Sequence, residues 1–303
     1  MTQHTLAELT TFPRLQELFA FDSDRLAHLA ETHRESYASA KPFPHVVMDD
    51  FLPAALLRKV LDEFPTPEQV RWVNFGDDAQ KKLASREENQ MGLLTRLLLY
   101  QLNSSVFMNF LEALTGIEGL IPDPYFGGGG LHQIERGGYL KVHADFNWHP
   151  KLQLDRRINL LIYLNENWLD EYGGHLELWD AGMTHSVQKI LPVFNRCVIF
   201  TTTDLSYHGH PDPLTCPEGR TRKSLALYYY TNGRPVDEKS SDHNTLFQRR
   251  PGEQMEIPGE PEPPPPPPAP PKPHFAKIVI RKMVPPILLD AWGYLTGGAN
   301  ERG

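Results

Sequence analysis

Two residues with metal-binding side chains, His143 and Asp145, are separated by one alanine in a segment that is predicted to be a β-strand. Side chains two positions apart on a strand project from the same face, so this imidazole and carboxylate can meet one metal ion. A third ligand must come from a distant strand, and His208 follows the apolar segment 196–202. Two imidazoles and one carboxylate on one face of an octahedral metal leave open positions, as in non-haem Fe(II) sites.

A second pair, His175 and Glu177, has the same spacing in another strand-like segment. Its simpler interpretation is the polar face of an edge strand. The distal histidine is also open to choice, because His210 lies two positions after His208.

Arg222 and Ser224 begin the β-like segment 222–230 and share one of its faces. A guanidinium and a hydroxyl placed in this way can bind a carboxylate through charge-assisted hydrogen bonds. A solvated basic turn is the alternative interpretation.

The order of these motifs resembles the 2-oxoglutarate- and Fe(II)-dependent oxygenases. The chain has HxD, then GGxLxLW at 173–179, FNRxxIF at 194–200, a histidine, and RxS. Within that family it is most similar to the prolyl 4-hydroxylase-like branch, which includes the animal oxygen-sensing prolyl hydroxylases. The likeness spans residues 131–232, with a weaker match at 43–53.

The resemblance implies that His143, Asp145 and His208 bind iron and that Arg222 binds the distal carboxylate of 2-oxoglutarate. His208 is preferred to its neighbour because family members have a similar YHGxP segment. Relatives often have a tyrosine where this chain has Gln133, which leaves open whether that residue or Tyr139 takes its place. The implied further contacts of the cosubstrate are Ser224, Tyr163, Asn159, Tyr139 and Gln133.

The implied cofactors are Fe(II), 2-oxoglutarate and O2, with ascorbate as a supporting reductant. The implied reaction is hydroxylation of an unactivated C–H bond, with release of succinate and CO2. The expected substrate is a prolyl or other amino-acid residue in a peptide or protein. Halogenating relatives replace the metal-binding carboxylate with a small residue, so Asp145 favours hydroxylation.

Two other functions stay open. One is an oxygenase of free amino acids or other small molecules, since the substrate is set by loops such as 70–92 and 146–157. The residues Phe146, Trp148 and His149 are candidates to line the substrate entrance of the site. The other is a non-catalytic jelly-roll binding protein with a proline-rich adaptor tail.

Short β-like segments separated by Gly and Pro turns follow the run Gly127–Gly130. They predict a mainly β protein with N-terminal helices (α+β) and a double-stranded β-helix core, that is, a cupin-like jelly roll. Helices are predicted over 14–39, from about Leu52 to Phe64, and over 93–114.

Four segments are predicted along the 303 residues. They are an N-terminal helical extension (1–42), the oxygenase domain (43–236, β core 131–232), a disordered proline-rich linker (237–273) and a C-terminal segment of unassigned role (274–303). The linker holds much of the chain's 28 prolines and is expected to be extended, which makes it a candidate ligand for a protein partner.

The composition indicates neither nucleic-acid nor membrane binding. The formal net charge is −8, and the N-terminus lacks the pattern of a secretory signal. Cys197 and Cys216 form no disulfide framework, which favours a reducing, cytoplasmic setting.

Overall fold

The computed structural model describes residues 18–257, except for the side chain of Asp237. The predicted C-terminal segment 274–303 and the linker beyond residue 257 therefore lie outside the described residues, as do residues 1–17.

Within residues 18–257, four α-helices precede the main β region: α1 Ser23–Ser39, α2 Ala54–Asp62, α3 Leu93–Leu102 and α4 Ser105–Thr115. The carboxylate of Asp22 caps α1 by accepting a hydrogen bond from the backbone N–H of Arg25. The apolar face of α1 carries Leu26 and Tyr37, and the Tyr37 hydroxyl lies 2.7 Å from the Thr201 hydroxyl. The N-terminal helix is thus tied to the sheet that follows.

The single helix expected over 93–114 is divided into α3 and α4. The Ser104 hydroxyl accepts a hydrogen bond from the backbone N–H of Phe107, which starts a new helix at this point. Apolar periodicity continues across the break because both helices bury leucines against the same core, and so the pattern alone did not reveal it.

The described part of the chain contains fourteen strands, and all but β8 and β13 are short, as expected from the closely spaced turns. They are β1 His45–Met48, β2 Val73–Asp77, β3 Gln80–Ser85, β4 Ile121–Pro122, β5 Gly130–Ile134, β6 Tyr139–Ala144, β7 Trp148–His149, β8 Leu154–Tyr163, β9 Leu176–Trp179, β10 Ser186–Ile190, β11 Cys197–Thr201, β12 His208–His210, β13 Arg222–Thr231 and β14 Leu246–Phe247.

The strands form one antiparallel sheet in the order β1-β11-β8-β13-β5-β3-β6-β12-β9-β10. Strand β3 pairs with β5 at one end and with β6 at the other, so it joins two halves of a curled sheet. From β5 onward the chain crosses repeatedly between the two halves. One half contains β5, β8, β11 and β13, and the other contains β6, β9, β10 and β12. This is the double-stranded β-helix, and the predicted fold class is confirmed.

The main core lies between the helices and the long pair β8–β13. Its fully buried members include Leu57, Leu99, Leu111, Leu160 and Leu225. The other face of the same sheet carries the polar side chains that line the candidate site.

Residues 240–257, here called the strap, cross the outer edge of β6. Strand β14 pairs with β6, and Phe247 lies opposite His143. Glu253 forms an ion pair with Lys141 at 2.6 Å. A disordered linker was predicted from residue 237, but the described residues stay on the domain to 257, because backbone pairing and ion pairs hold a segment that has few apolar residues.

No helix among residues 18–257 has both the length and the apolarity needed to cross a membrane.

Candidate metal and cosubstrate site

Strands β6 and β12 place the two histidines side by side. His143 and His208 are directly opposed in the antiparallel pair, and Asp145 follows immediately after β6. The strands approach closely at Gly209, where a Cβ atom would lie 2.8 Å from the carbonyl oxygen of Leu140. Only glycine fits this position without a shift of the backbone.

The three side chains predicted to bind the metal converge on one point. The Nε2 atoms of His143 and His208 lie 3.6 and 3.4 Å from the two carboxylate oxygens of Asp145. All three ligand atoms lie within 4.8 Å of one another. Among residues 18–257, no other three His, Cys, Asp or Glu side chains form such a cluster.

Both imidazoles are oriented by backbone carbonyls. The Nδ1 of His143 lies 2.8 Å from the Lys141 oxygen, and the Nδ1 of His208 lies 2.9 Å from the Ser206 oxygen. A hydrogen on each Nδ1 satisfies these contacts and leaves the lone pair of each Nε2 directed at Asp145. Two neutral nitrogens and one carboxylate on one side of a pocket fit a divalent first-row metal such as Fe(II).

The protonation states suit metal binding. Burial lowers the pKa of His208 to about 4, although Asp145 opposes this shift. Burial alone would raise the pKa of Asp145, but Arg156 and the two histidines hold it well below its usual range. The site therefore presents a carboxylate and a neutral imidazole near pH 7.

Arg156, which was not among the predicted site residues, contacts Asp145 directly. Its Nη2 lies 3.0 Å from Asp145 Oδ2 and donates to the side-chain oxygen of Asn159 at 2.6 Å. The Asn159 amide donates to the same Asp145 oxygen at 2.6 Å. The predicted contact of Asn159 with the cosubstrate stays a prediction, and its amide also binds the carboxylate ligand.

Two aromatic rings enclose the Arg156 guanidinium. Its central carbon lies 4.3 Å from the centroid of the Phe146 ring and 3.5 Å from that of Tyr228. Cation–π contacts of this kind stabilise a desolvated guanidinium and limit its rotation. The signal in the sequence that could have identified Arg156 was the pair of arginines at 156–157, near the start of a strand whose second half is apolar.

A narrow inner cavity of about 60 Å³ runs from the triad to Arg222. The Arg222 Nε donates to the Gly174 carbonyl at 2.8 Å, and an Nη lies 3.3 Å from the Tyr163 hydroxyl. Ser224 also lines this cavity and is directly opposite Tyr163 in the β8–β13 pair. A buried cation flanked by two hydroxyls can bind a carboxylate.

Gly174 is required beside Arg222. It has a positive φ of 72°, and a Cβ atom there would lie 2.9 Å from the Arg222 side chain. The GG dipeptide thus leaves room for the guanidinium.

The two candidates to replace the family tyrosine lie elsewhere. Gln133 accepts a hydrogen bond from the Thr221 hydroxyl at 2.8 Å, and the Tyr139 hydroxyl donates to the Asp77 carbonyl at 3.3 Å. Neither lines the inner cavity, whereas His132 does. Strand alternation explains this, because adjacent residues of β5 face opposite sides.

Two further residues line the inner cavity: His210, which was the alternative to His208 as the distal histidine, and Lys82, which was not predicted at the site. His210 is buried, and neither ring nitrogen has a hydrogen-bond partner among residues 18–257. Lys82 from β3 lines both this cavity and the one outside it. Lys82 was missed because residues 70–92 were taken as a loop.

The inner cavity opens into an outer cavity of about 390 Å³, which shares His143 and Asp145 with it. A third cavity of about 780 Å³ adjoins the outer one at Phe146 and is also lined by Trp148 and His149. All three predicted entrance residues therefore border an open cavity beside the site.

The competing pair is engaged differently. His175 Nε2 lies 2.9 Å from Asp170, while Glu177 binds Lys189 at 2.6 Å and accepts from the Trp179 indole at 2.9 Å. These contacts match a structural role.

Residues 129–230 match the family model described as the 2OG-Fe(II) oxygenase superfamily. A curated relative, "Prolyl 3,4-dihydroxylase OGFOD1" from Ostreococcus tauri, is 24% identical over 246 residues, which are 75% of this chain and 45% of the relative. The chain thus spans less than half the length of that relative.

Among solved structures, a Pseudomonas putida prolyl-4-hydroxylase is 18% identical with a TM-score of 0.49, covering 69% of this chain and 100% of the other. A Trichoplax adhaerens prolyl hydroxylase, solved with a hypoxia inducible factor peptide fragment, is 16% identical with a TM-score of 0.48, covering 72% and 94%.

The motif order, the jelly-roll topology and the family match coincide over the same strands, β5 to β13. Over residues 129–230, this chain is similar to the 2-oxoglutarate- and Fe(II)-dependent oxygenase superfamily.

Proposed function

We propose that the protein is a 2-oxoglutarate-dependent hydroxylase in which His143, Asp145 and His208 bind Fe(II). The observation that carries the proposal is the shared inner cavity, with these three side chains at one end and the buried Arg222 at the other. Iron and 2-oxoglutarate, when bound, supply the activation of O2 that oxidises a C–H bond and releases succinate and CO2.

The protein's own side chains bind 2-oxoglutarate and orient the metal ligands. Arg222, Tyr163 and Ser224 hold the distal carboxylate of 2-oxoglutarate, which directs the oxo-acid end toward the triad. Arg156 and Asn159 keep the Asp145 carboxylate turned toward the histidines. The presence of Asp145, in place of a small residue, supports hydroxylation.

The proposed substrate is a prolyl or other amino-acid residue of a peptide or protein. The name of the O. tauri relative supports this choice. The outer cavities of about 390 and 780 Å³ support it too, because they leave room for an extended chain beside the triad.

The first test is succinate formation from 2-oxoglutarate by the full-length protein with Fe(II), ascorbate and O2, without added substrate. We expect slow turnover by the wild type and none by Asp145→Ala or Arg222→Ala, because these variants lose a metal ligand and the carboxylate partner. His175→Ala, from the competing pair, is the matched control and retains the activity.

If the wild type is inactive, the second test is anaerobic binding of Fe(II) and 2-oxoglutarate, which is measured by visible absorption. Absence of both ligands would reject the proposed function and leave the binding-protein alternative. Unchanged succinate formation by Asp145→Ala would reject the proposed ligand set.

We further propose a reducing, cytoplasmic location. The two cysteines support it, since Cys197 and Cys216 are both buried and unpaired. Fractionation of cells that express the tagged full-length protein tests this proposal, and recovery outside the cytoplasm would contradict it.

A further inference from the structure

One wall of the outer cavity is formed by the hairpin β2–β3. Gln80, Lys82, Ala84 and Arg86 all line that cavity, at alternate positions of one strand and its extension. Alternate residues of a strand face the same side, so the basic side chains of Lys82 and Arg86 point toward the site that Asp145 also borders. Lys81, between Gln80 and Lys82, is exposed on the opposite face.

Among the residues that the structure describes, the Lys82 ammonium has no counter-ion. Within residues 18–257 it makes no hydrogen bond or ion pair, and its Nζ lies 5.1 Å from the centroid of the Phe75 ring. Burial lowers the pKa of Lys82 to about 8, while Asp145 and Asp77 oppose the shift. A partly desolvated ammonium that keeps its charge is costly unless an anion pairs with it.

The carboxylates near Lys82 are already engaged. Asp145 is the acidic residue that lines either the inner or the outer cavity, and it is bound by Arg156 and the two histidines. The carboxylate of Asp77, at the hairpin turn, accepts hydrogen bonds from the backbone of Ala79 and Gln80.

The proposed cofactors do not supply a counter-ion for Lys82. Fe(II) carries two positive charges and 2-oxoglutarate carries two negative charges, so together they are neutral. Arg222 already occupies the far end of the cosubstrate cavity. The positive charge of Lys82 and Arg86 on the outer wall is therefore left for another anion.

We propose that the substrate carries a carboxylate that pairs with Lys82 when its C–H bond lies at the triad. This inference rests on the proposed function and assigns Lys82 as a specificity residue, with Arg86 adding positive charge at the rim. The carboxylate has two sources in a peptide, an acidic side chain or the free C-terminus.

The experiment measures peptide binding to the full-length protein loaded with Mn(II) and the unreactive analogue N-oxalylglycine. One pair of probes is acetyl-Ala-Pro-Asp-amide and its neutral isostere acetyl-Ala-Pro-Asn-amide. The other is acetyl-Ala-Pro-Ala with a free carboxylate or an amide. Dissociation constants come from titration calorimetry or ligand-observed NMR.

We expect the wild type to bind the acidic member of one pair about tenfold or more tightly than its neutral partner, as for a hydrogen bond to a charged group. The pair that discriminates identifies the source of the carboxylate. Lys82→Gln binds both members equally, whereas the matched control Lys81→Gln keeps the wild-type preference. Thermal unfolding of both variants checks that they fold.

Equal affinity of the wild type for acidic and neutral members, including no measurable binding of either, overturns the proposal. A preference that persists in Lys82→Gln also overturns it. A Lys82→Gln variant that loses 2-oxoglutarate affinity and not peptide discrimination would assign the ammonium to the cosubstrate instead. Succinate formation that still depends on Asp145 would show that only this inference fails, and not the proposed function.

Discussion

Arg156 restrains the orientation of the Asp145 carboxylate through a direct contact with its Oδ2. Its two bonds to Asn159 and its contact with Asp145 require a planar guanidinium, and the Phe146 and Tyr228 rings hold that plane. Lysine keeps the charge but cannot make these contacts together.

We therefore predict that Arg156→Lys weakens metal binding about 10–100-fold, the usual effect of losing a residue that orients a ligand. Mn(II) titration followed by electron paramagnetic resonance measures the change. Arg157→Lys is the control, because the neighbouring arginine contacts Thr231 and Glu238 and not the triad. Equal Mn(II) affinity in wild type and Arg156→Lys would reject this role.

A second prediction concerns the Tyr163 hydroxyl, which lies 3.3 Å from the Arg222 guanidinium in the inner cavity. Tyr163→Phe keeps the ring under the guanidinium but removes a hydrogen-bonding group from the proposed carboxylate site. We expect 2-oxoglutarate affinity to fall about tenfold, with Mn(II) affinity unchanged. Tyr172→Phe is the control, because Tyr172 is half-buried against Trp168 and does not contact Arg222. An equal effect in both variants would contradict the assignment.

At the scale of elements, the strap is joined to β6 next to a proposed metal ligand. Phe247 packs on the His143 ring with centroids 5.5 Å apart, and Glu253 binds both Lys141 and Arg250. The strap thus supports the strand that carries the HxD motif.

The strap leads to a prediction about pH. Partial burial would raise the pKa of Glu253, but hydrogen bonds from Arg250 and Lys141 outweigh it and lower the pKa to about 2. Because the folded-state pKa lies below the ordinary value, Glu253 stabilises the fold above about pH 4.5, and this contribution is lost as the pH falls toward 2. Urea unfolding at pH 6 and pH 3 measures it.

The comparison variant is Glu253→Gln. We expect wild type to exceed it in free energy of unfolding at pH 6, and the difference to shrink at pH 3. A difference that is constant with pH would show that the carboxylate charge does not contribute.

The long paired strands β8 and β13 contribute buried side chains to the main core. Leu160 in β8 is fully buried, so Leu160→Ala is expected to lower the free energy of unfolding by about 2–5 kcal/mol. Leu205→Ala, the same substitution at a side chain that is 54% exposed, should cost less than about 0.5 kcal/mol. Similar values for the two variants in urea unfolding would contradict the assigned core.

For the whole molecule, ligand binding and folding are coupled. Mn(II) and N-oxalylglycine, each at about 100 times its dissociation constant, should together stabilise the protein by about 5.4 kcal/mol, which corresponds to a rise of roughly 10–20 °C in the melting temperature. Asp145→Ala should show no such rise. Calorimetry checks this, and an equal rise in the variant would place the ligands elsewhere.

The chemistry of the site could be predicted largely from local sequence. His143 and Asp145 share one strand face, and Arg222 and Ser224 share another, so alternation was enough to identify each pair. The jelly roll was predicted from many short β-like segments separated by turn residues. The order of the motifs then linked the pairs through the family resemblance.

Other features were decided by tertiary structure. Arg156 and Lys82 enter the site from strands whose pairing depends on distant residues, and His132 rather than Gln133 faces the cavity because sheet curvature sets which side is enclosed. The strap stays on β6 through a sheet edge that local composition does not reveal. The sequence by itself determined which residue types share a face, because that depends only on local backbone geometry. Which faces meet was decided by long-range strand pairing.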